Sequence, residues 1–97
     1  MALVVLTPAA QEQFDALPKA VRARIERILR RLERWPEVSG AKPLSHDLVG
    51  RWRMRTGDYR VQFYIEPGKP ADEDSPETPG KVKVDRVGHR DGFYDGD

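Results

Sequence analysis

The chain contains no cysteine. That excludes a disulfide framework and a thiolate-held zinc, and it accords with a reducing cytoplasm as the expected location. Long apolar runs are missing too. The longest, Met1 to Leu6, is too short to span a membrane and has neither the basic flank nor the cleavage site of a signal peptide, so a soluble protein is expected. At 97 residues there is little chain beyond one compact core, and a single domain over residues 1–97 is expected. Net charge is nearly absent at +1, but it is unevenly spread. Residues 1–65 carry 12 Lys and Arg against 7 Asp and Glu, whereas residues 66–97 carry 5 against 9. Such a basic body attracts polyanions, since phosphate contacts supply most non-specific nucleic-acid affinity; a plainly solvated surface is the alternative.

What is present is a series of apolar patterns with clear breaks. Ala2 to Leu6 is short, β-branched and apolar, and reads as a buried strand. Thr7 and Pro8 follow as an N-cap and a first helical residue whose missing N–H costs nothing. Ala10, Phe14 and Leu17 share one face of this first helix, and Pro18 breaks it. From Lys19 to Trp35 the residues Val21, Ile25, Ile28, Leu29, Leu32 and Trp35 recur at spacings of three and four, which predicts a longer amphipathic helix. Its outer face holds Arg24, Arg27, Arg31 and Arg34, and Glu26 and Arg30 form an i, i+4 pair in the favourable order. Pro36 ends it.

A loop through Gly40 and Pro43 leads to Trp52 and Met54, which alternate with Arg51, Arg53 and Arg55 at the period of a strand. Thr56-Gly57-Asp58 reads as a tight turn and Tyr59 to Ile65 alternates again, so the two runs form a β-hairpin. Residues 66–80 (EPGKPADEDSPETPG) are rich in proline and acid, bury almost nothing and are expected to form a flexible loop. Val82, Val84 and Val87 mark a last strand before a polar tail that ends in Phe93 and Tyr94. The order β-α-α-β-β-β predicts an α+β fold: a two-helix hairpin on one face of a small antiparallel sheet, with the other face open.

Side chains alternate across a strand, so Trp52 and Met54 face the helices only if Arg53 and Arg55 face away. The same parity places Val61, Phe63 and Ile65 in the core and sends Arg60 and Gln62 to the open side. Three guanidinium groups then share one face. Like charges on neighbouring strands repel, and an anion or an acidic partner relieves that repulsion. Phosphate suits it, because a guanidinium fork matches its oxygens in bidentate geometry; stems lying on a solvated sheet are the other possibility.

The run Gly50-Arg51-Trp52-Arg53-Met54-Arg55-Thr56-Gly57-Asp58-Tyr59-Arg60-Val61, followed after a loop by Val87-Gly88-His89-Arg90 and Tyr94, resembles the RelE family of bacterial and archaeal toxins. Lys42-Pro43-Leu44, Leu48-Val49-Gly50 and the helical hairpin fit the same family. The resemblance covers nearly the whole chain except residues 66–80. It implies a toxin of a type II toxin–antitoxin system: a ribosome-dependent endoribonuclease that cuts messenger RNA in the A site and so inhibits translation. The ribose 2′-oxygen attacks the adjacent phosphate, leaving a 2′,3′-cyclic phosphate and a 5′-hydroxyl, with no metal or cofactor required.

Carried over by position, Arg53 and Arg55 match two basic strand residues at the scissile region, and Arg60 matches the arginine that stabilises the phosphate. Arg90 matches the basic residue of the last motif, and Tyr94 the aromatic that stacks on or orients a base. The implied RNA-binding set is Arg51, Arg53, Arg55 and Lys83. This chain departs from the family in one respect: some members carry lysines where Arg53 and Arg55 stand. Arginine is effectively never deprotonated, so neither serves as a general base. His89, the one histidine in the motifs, has a pKa suited to proton transfer, and bonding the backbone or capping the strand is its alternative role. His46 reads as a surface residue, Tyr59 and Trp52 as structural and Asp58 as serving the turn.

The implied partners are the ribosome with its messenger RNA and a RelB-like antitoxin that folds on binding to give a toxin–antitoxin hetero-oligomer, acidic residues neutralising the active face. No membrane partner is expected. Two other readings share the fold. One is the ParE branch, which inhibits DNA gyrase by binding and generally lacks the basic cluster; the other is a toxin fold that has lost activity and persists as a binding subunit. The acidic loop 66–80 either shields the basic face in cis or is a plain insertion.

Overall fold

The computed structural model describes residues 2–93. Along the chain run β1 (Leu3–Leu6), α1 (Pro8–Asp15), α2 (Lys19–Leu32), β2 (Lys42–Pro43), β3 (Arg51–Thr56), β4 (Tyr59–Glu66) and β5 (Lys81–His89), with short 3-10 turns at His46–Leu48 and Arg90–Gly92. The strands form one sheet in the order β1-β5-β4-β3-β2. Thr7 caps α1: its Oγ1 accepts the Ala10 N–H at 3.2 Å, and Pro8 takes the first helical turn. The two helices cover one face of the sheet, giving the expected α+β architecture.

The core is the contact between them. Ala10 from α1 and Val21, Ile25, Ile28 and Leu32 from α2 pack on Met54, Val61, Phe63, Val82, Val84 and Val87 of the sheet. α2 ends at Leu32, three residues before the end expected from its periodicity. Pro36 disfavours helical backbone at Trp35, and the last turn tightens into bonds from Glu33, Arg34 and Trp35 back to the carbonyls three residues earlier. Trp35 thereby lands on the sheet, edge-on to Trp52 at 4.9 Å and to Phe63 at 5.4 Å between ring centroids.

Four features depart from the expected sheet. First, the sheet is mixed, because β1 runs parallel to β5, with Leu3 opposite Lys81 and Leu6 opposite Val84. A parallel pair needs a long crossover, which the rest of the chain supplies, and alternation within a strand carries no information about its partner's direction. Second, Lys42–Pro43 forms a short edge strand, β2, against β3. Proline is tolerated at an edge, where its missing N–H breaks no inner ladder.

Third, β5 contains a bulge. Gln62 pairs with Arg86 but Phe63 pairs with Val84, which leaves Asp85 as the extra residue. The bulge lets Val84 and Val87, three apart, both face the core. Fourth, the face away from the helices is not bare. The Arg90–Gly92 turn brings Phe93 back over Gly88, where a Cβ would stand 3.3 Å from the ring.

The segment 66–80 leaves the sheet at the end opposite the β3–β4 turn. Lys69 and Thr78 pair through their backbones at 3.0 Å in both directions, and the Asp72 carboxylate accepts the N–H groups of Asp74 and Ser75. Its acidic tip starts beyond the far end of β4, about 20 Å along that strand from Arg60 at 3.3 Å per residue. Among the described residues no helix is long and apolar enough to cross a membrane.

Phe63 is fully buried and touches Trp35. Phe63→Ala is expected to cost about 3–5 kcal/mol, measured as a lower urea midpoint with an unchanged slope.

Candidate functional site

The register of β3 with β4 sets the site. Arg53 stands opposite Gln62, and Arg55 opposite Arg60, while Met54 and Val61 between them point into the core. On the outer flanks, Lys42 of β2 pairs with Arg53, and Gly88 of β5 pairs with Arg60. One face of the sheet thus carries Lys42, Arg53, Gln62 and Arg86 in one row and Arg55, Arg60 and Gly88 in the next.

These arginines are not a solvated fringe. Arg60 is 5% exposed and Arg53 7% exposed, whereas Arg55 is exposed and makes no hydrogen bond or ion pair to the described residues. The Arg60 guanidinium donates to the carbonyls of Gly57 (3.1 Å) and Tyr59 (3.2 Å), which aims it at the β3–β4 turn. Gly57 has φ +59, the left-handed conformation that this two-residue turn requires. Arg90 reaches the same place from the other side. Its N–H donates to the Asp58 carbonyl at 2.7 Å and its Nε lies 3.8 Å from Asp58 Oδ1.

Burial holds the pKa of Arg60 below its ordinary value, and the nearby charges of Arg53, Arg55 and Arg90 push the same way, against Asp58. A cation whose folded pKa is depressed holds its proton less tightly in the native state than in the unfolded chain. Stability therefore rises as pH climbs through those pKa values, far above neutrality. A bound anion would favour the charged form. The site is a fixed, partly desolvated, cationic cradle.

Neither a family model nor a curated protein matches the sequence. Solved structures do. The RelBE2 toxin–antitoxin complex of Mycobacterium tuberculosis is similar over 92% of this chain and 98% of that one, at 28% identity and a TM-score of 0.68. The chain has the fold of the RelE toxins. The RelB–RelE complex of Methanococcus jannaschii (18% identity, TM-score 0.63, 94% of this chain and 95% of that) has the same fold. So does the isolated Escherichia coli RelE toxin (14% identity, TM-score 0.64, 92% of this chain and 84% of that).

Within this RelE fold the residues singled out from sequence separate into groups. Arg53, Arg55, Arg60 and Arg90 come together. Arg51 and Lys83 lie one row further along the same face, on either side of Tyr64, and each has a carboxylate: Arg51 Nε donates to Asp85 Oδ2 at 3.0 Å, and Lys83 Nζ is 4.0 Å from Glu66 Oε2. Arg51 also lies over the Tyr64 ring at 4.9 Å. His89 does not join the cluster. It pairs with Tyr59, the ring it meets edge-on at 5.2 Å, on the side that packs against the helices, and its Nδ1 accepts the Asp91 N–H and so caps the last 3-10 turn. Tyr94 lies outside the described residues.

Sequence reasoning missed Lys42, Asp85 and Arg86 on this face. Lys42 was hidden by Pro43, which argues against a strand, and the other two by the bulge. The one available signal was the valine spacing: 82 to 84 is two, 84 to 87 is three. Asp85 also binds Gln62, whose Nε2 donates to Oδ1 at 3.2 Å while its Oε1 is buried with no hydrogen-bond partner among the described residues. Arg86 donates to the carbonyls of Gly92 and Phe93 and lies over the Phe93 ring at 4.4 Å, tying the tail to the sheet. Among the described residues no group of three His, Cys, Asp or Glu could hold a metal ion.

Sulfate or phosphate is expected to raise the melting temperature of the native protein by occupying the cradle, as mass action requires of any native-state ligand. Arg60→Met should lose most of that anion-dependent gain, since a guanidinium of the cradle is removed. A variant that melts lower and keeps the gain would place anion binding elsewhere.

Proposed function

We propose that this chain is the toxin of a type II toxin–antitoxin pair and acts as a ribosome-dependent endoribonuclease on messenger RNA. The observation that supports this most is the cluster of Arg53, Arg55, Arg60 and Arg90, buried at Arg53 and Arg60 and faced by Asp58. Cleavage by the ribose 2′-oxygen gathers negative charge on a five-coordinate phosphate, while the bond to the 5′-oxygen breaks to give a 2′,3′-cyclic phosphate and a 5′-hydroxyl. Fixed cations stabilise that charge without reorganising, which is the main route by which enzymes lower such barriers. Arg60, already turned by its two carbonyl bonds, contacts the phosphate; Arg53, Arg55 and Arg90 surround it.

A guanidinium is a poor proton-transfer group, so in this reading the arginines supply charge and position. His89 caps a turn on the other side of the sheet, and its contribution is structural in this reading. Arg51 and Lys83, one row away, track the flanking backbone of the RNA. For the partner, two of the similar structures are complexes with an antitoxin. An antitoxin segment that places carboxylates against the cradle would relieve the charge that the free fold carries, and would block access of RNA by the same contact.

The test is to add the purified chain to a bacterial translation extract and map new messenger RNA 5′ ends by primer extension, with naked RNA beside it. Cuts are expected only in translated codons. Arg60→Ala should lose roughly 10²–10³ in rate, the usual cost of removing one fixed donor to a developing oxyanion. His89→Ala should lose far less than the roughly 10²–10⁴ that removal of a general acid or base costs. Folded protein that makes no cuts but blocks gyrase supercoiling would assign the chain to the ParE branch.

A further inference from the structure

We infer that α2 carries a second RNA-binding surface, separate from the sheet face, which docks on the phosphate backbone of a double-helical RNA. The inference rests on the ribonuclease reading for its biological setting, but its evidence lies elsewhere in the molecule. At 100° per residue Arg24, Arg27 and Arg31 fall within an arc of about 60°, and at 1.5 Å per residue they span about 10 Å of the helix axis. Arg34 extends the line through the tightened turn that follows. Arg27, Arg31 and Arg34 are exposed.

Neutralising contacts are few. Arg27 and Arg34 make no hydrogen bond or ion pair to the described residues, and Arg31 donates to a backbone carbonyl, that of Ser39, at 2.7 Å. The i, i+4 ion pair of the helix, Glu26 with Arg30 at 3.9 Å, lies off the stripe. Like charges three and four apart destabilise a helix, so the arrangement is costly for the free protein.

The stripe is continuous with the cradle. The Arg24 guanidinium sits 5.9 Å from the Tyr59 ring centroid, and one of its nitrogens is 3.1 Å from where a Cβ on Gly57 would stand. Gly57 is the residue whose carbonyl accepts from Arg60. Guanidinium groups therefore run from the sheet face, round the β3–β4 turn and along α2. RNA bound in the cradle would bring its polyanionic surroundings against this line.

The chemistry favours nucleic acid over an acidic protein. A stable protein interface needs an apolar anchor at its centre, and the exposed large hydrophobic residues among those described are Leu3 and Val49, neither of them on α2. A nucleic-acid duplex presents about one phosphate charge per 1.7 Å of axis, so charge alone suffices to bind it.

Fluorescence anisotropy with a short blunt RNA duplex, at several salt concentrations, tests this on the full chain. Arg27→Gln/Arg34→Gln is expected to weaken duplex binding roughly tenfold and to flatten the salt dependence by about one to two, the signature of lost phosphate contacts. Lys19→Gln/Lys69→Gln removes the same charge off the stripe, Lys19 from another side of α2, and should change neither. On translating ribosomes the Arg27/Arg34 variant should need more protein for half-maximal cutting but reach the native rate at saturation, whereas Arg60→Ala loses the rate itself. Duplex binding that is unchanged, or that falls equally in the control, overturns the proposal. So does displacement of the duplex by a poly-glutamate peptide at equal charge, which would assign the stripe to an acidic protein. If no ribosome cutting is seen with any variant, the nuclease reading fails while the duplex measurement still decides this one.

Discussion

Burial of Met54, Val61 and Phe63 beneath α2 determines the position of every other side chain in the β3–β4 hairpin. Because a strand has two sides, each apolar residue committed to the core sends its neighbours to the opposite face, and here those neighbours are Arg53, Arg55, Arg60 and Gln62. The drive to bury apolar surface and the drive to separate like charges act on alternate residues of the same strands. The first wins, since a register slip would turn the whole apolar set outward. The cationic face is thus held in place by the packing on the reverse of the sheet.

Carboxylates among the described residues moderate the charge. Asp58 faces Arg60 and Arg90 from the turn, and Asp85 faces Arg51 from the bulge, so the carboxylates stand at the two ends of the cluster. Phe93 and Arg86 lie over the middle and reduce access of water. Lower access of water lets each remaining charge act more strongly on whatever enters, and also makes the empty site less stable. In such a fold a ligand, substrate or inhibitor, contributes to stability as well as to function.

Local signals in the chain revealed most of the fold. Thr7-Pro8, the three-and-four spacing of α2, and the alternation on either side of Gly57-Asp58 each reflect contacts within a few residues, and each appears in the structure as read, save that α2 stops at Leu32. The central cluster was legible for the same reason, because parity in a hairpin is a local property. What the chain did not reveal depends on distant partners. The parallel pairing of β1 with β5, the edge strand at Lys42–Pro43 and the position of His89 on the helix side all require knowing which strand lies alongside. His89 was read by its chemistry, whereas its place was decided by the bulge four residues upstream.

That bulge makes β5 a strand with two reading frames. Before Asp85 the core phase falls on Val82 and Val84; after it, on Val87, with Gly88 and Arg90 in the opposite phase toward the cradle. If Asp85 instead took a place in one regular frame, Arg86 would turn toward the core and Val87 toward the cradle, whereas deleting Asp85 leaves both on their present faces. Length changes in this part of the chain are therefore not interchangeable with those in the loop 66–80, which both ends of the β4–β5 hairpin leave side by side. The loop can change in length freely, while a change within the nine residues of β5 must keep Val84 and Val87 on one face and Arg86 and Gly88 on the other.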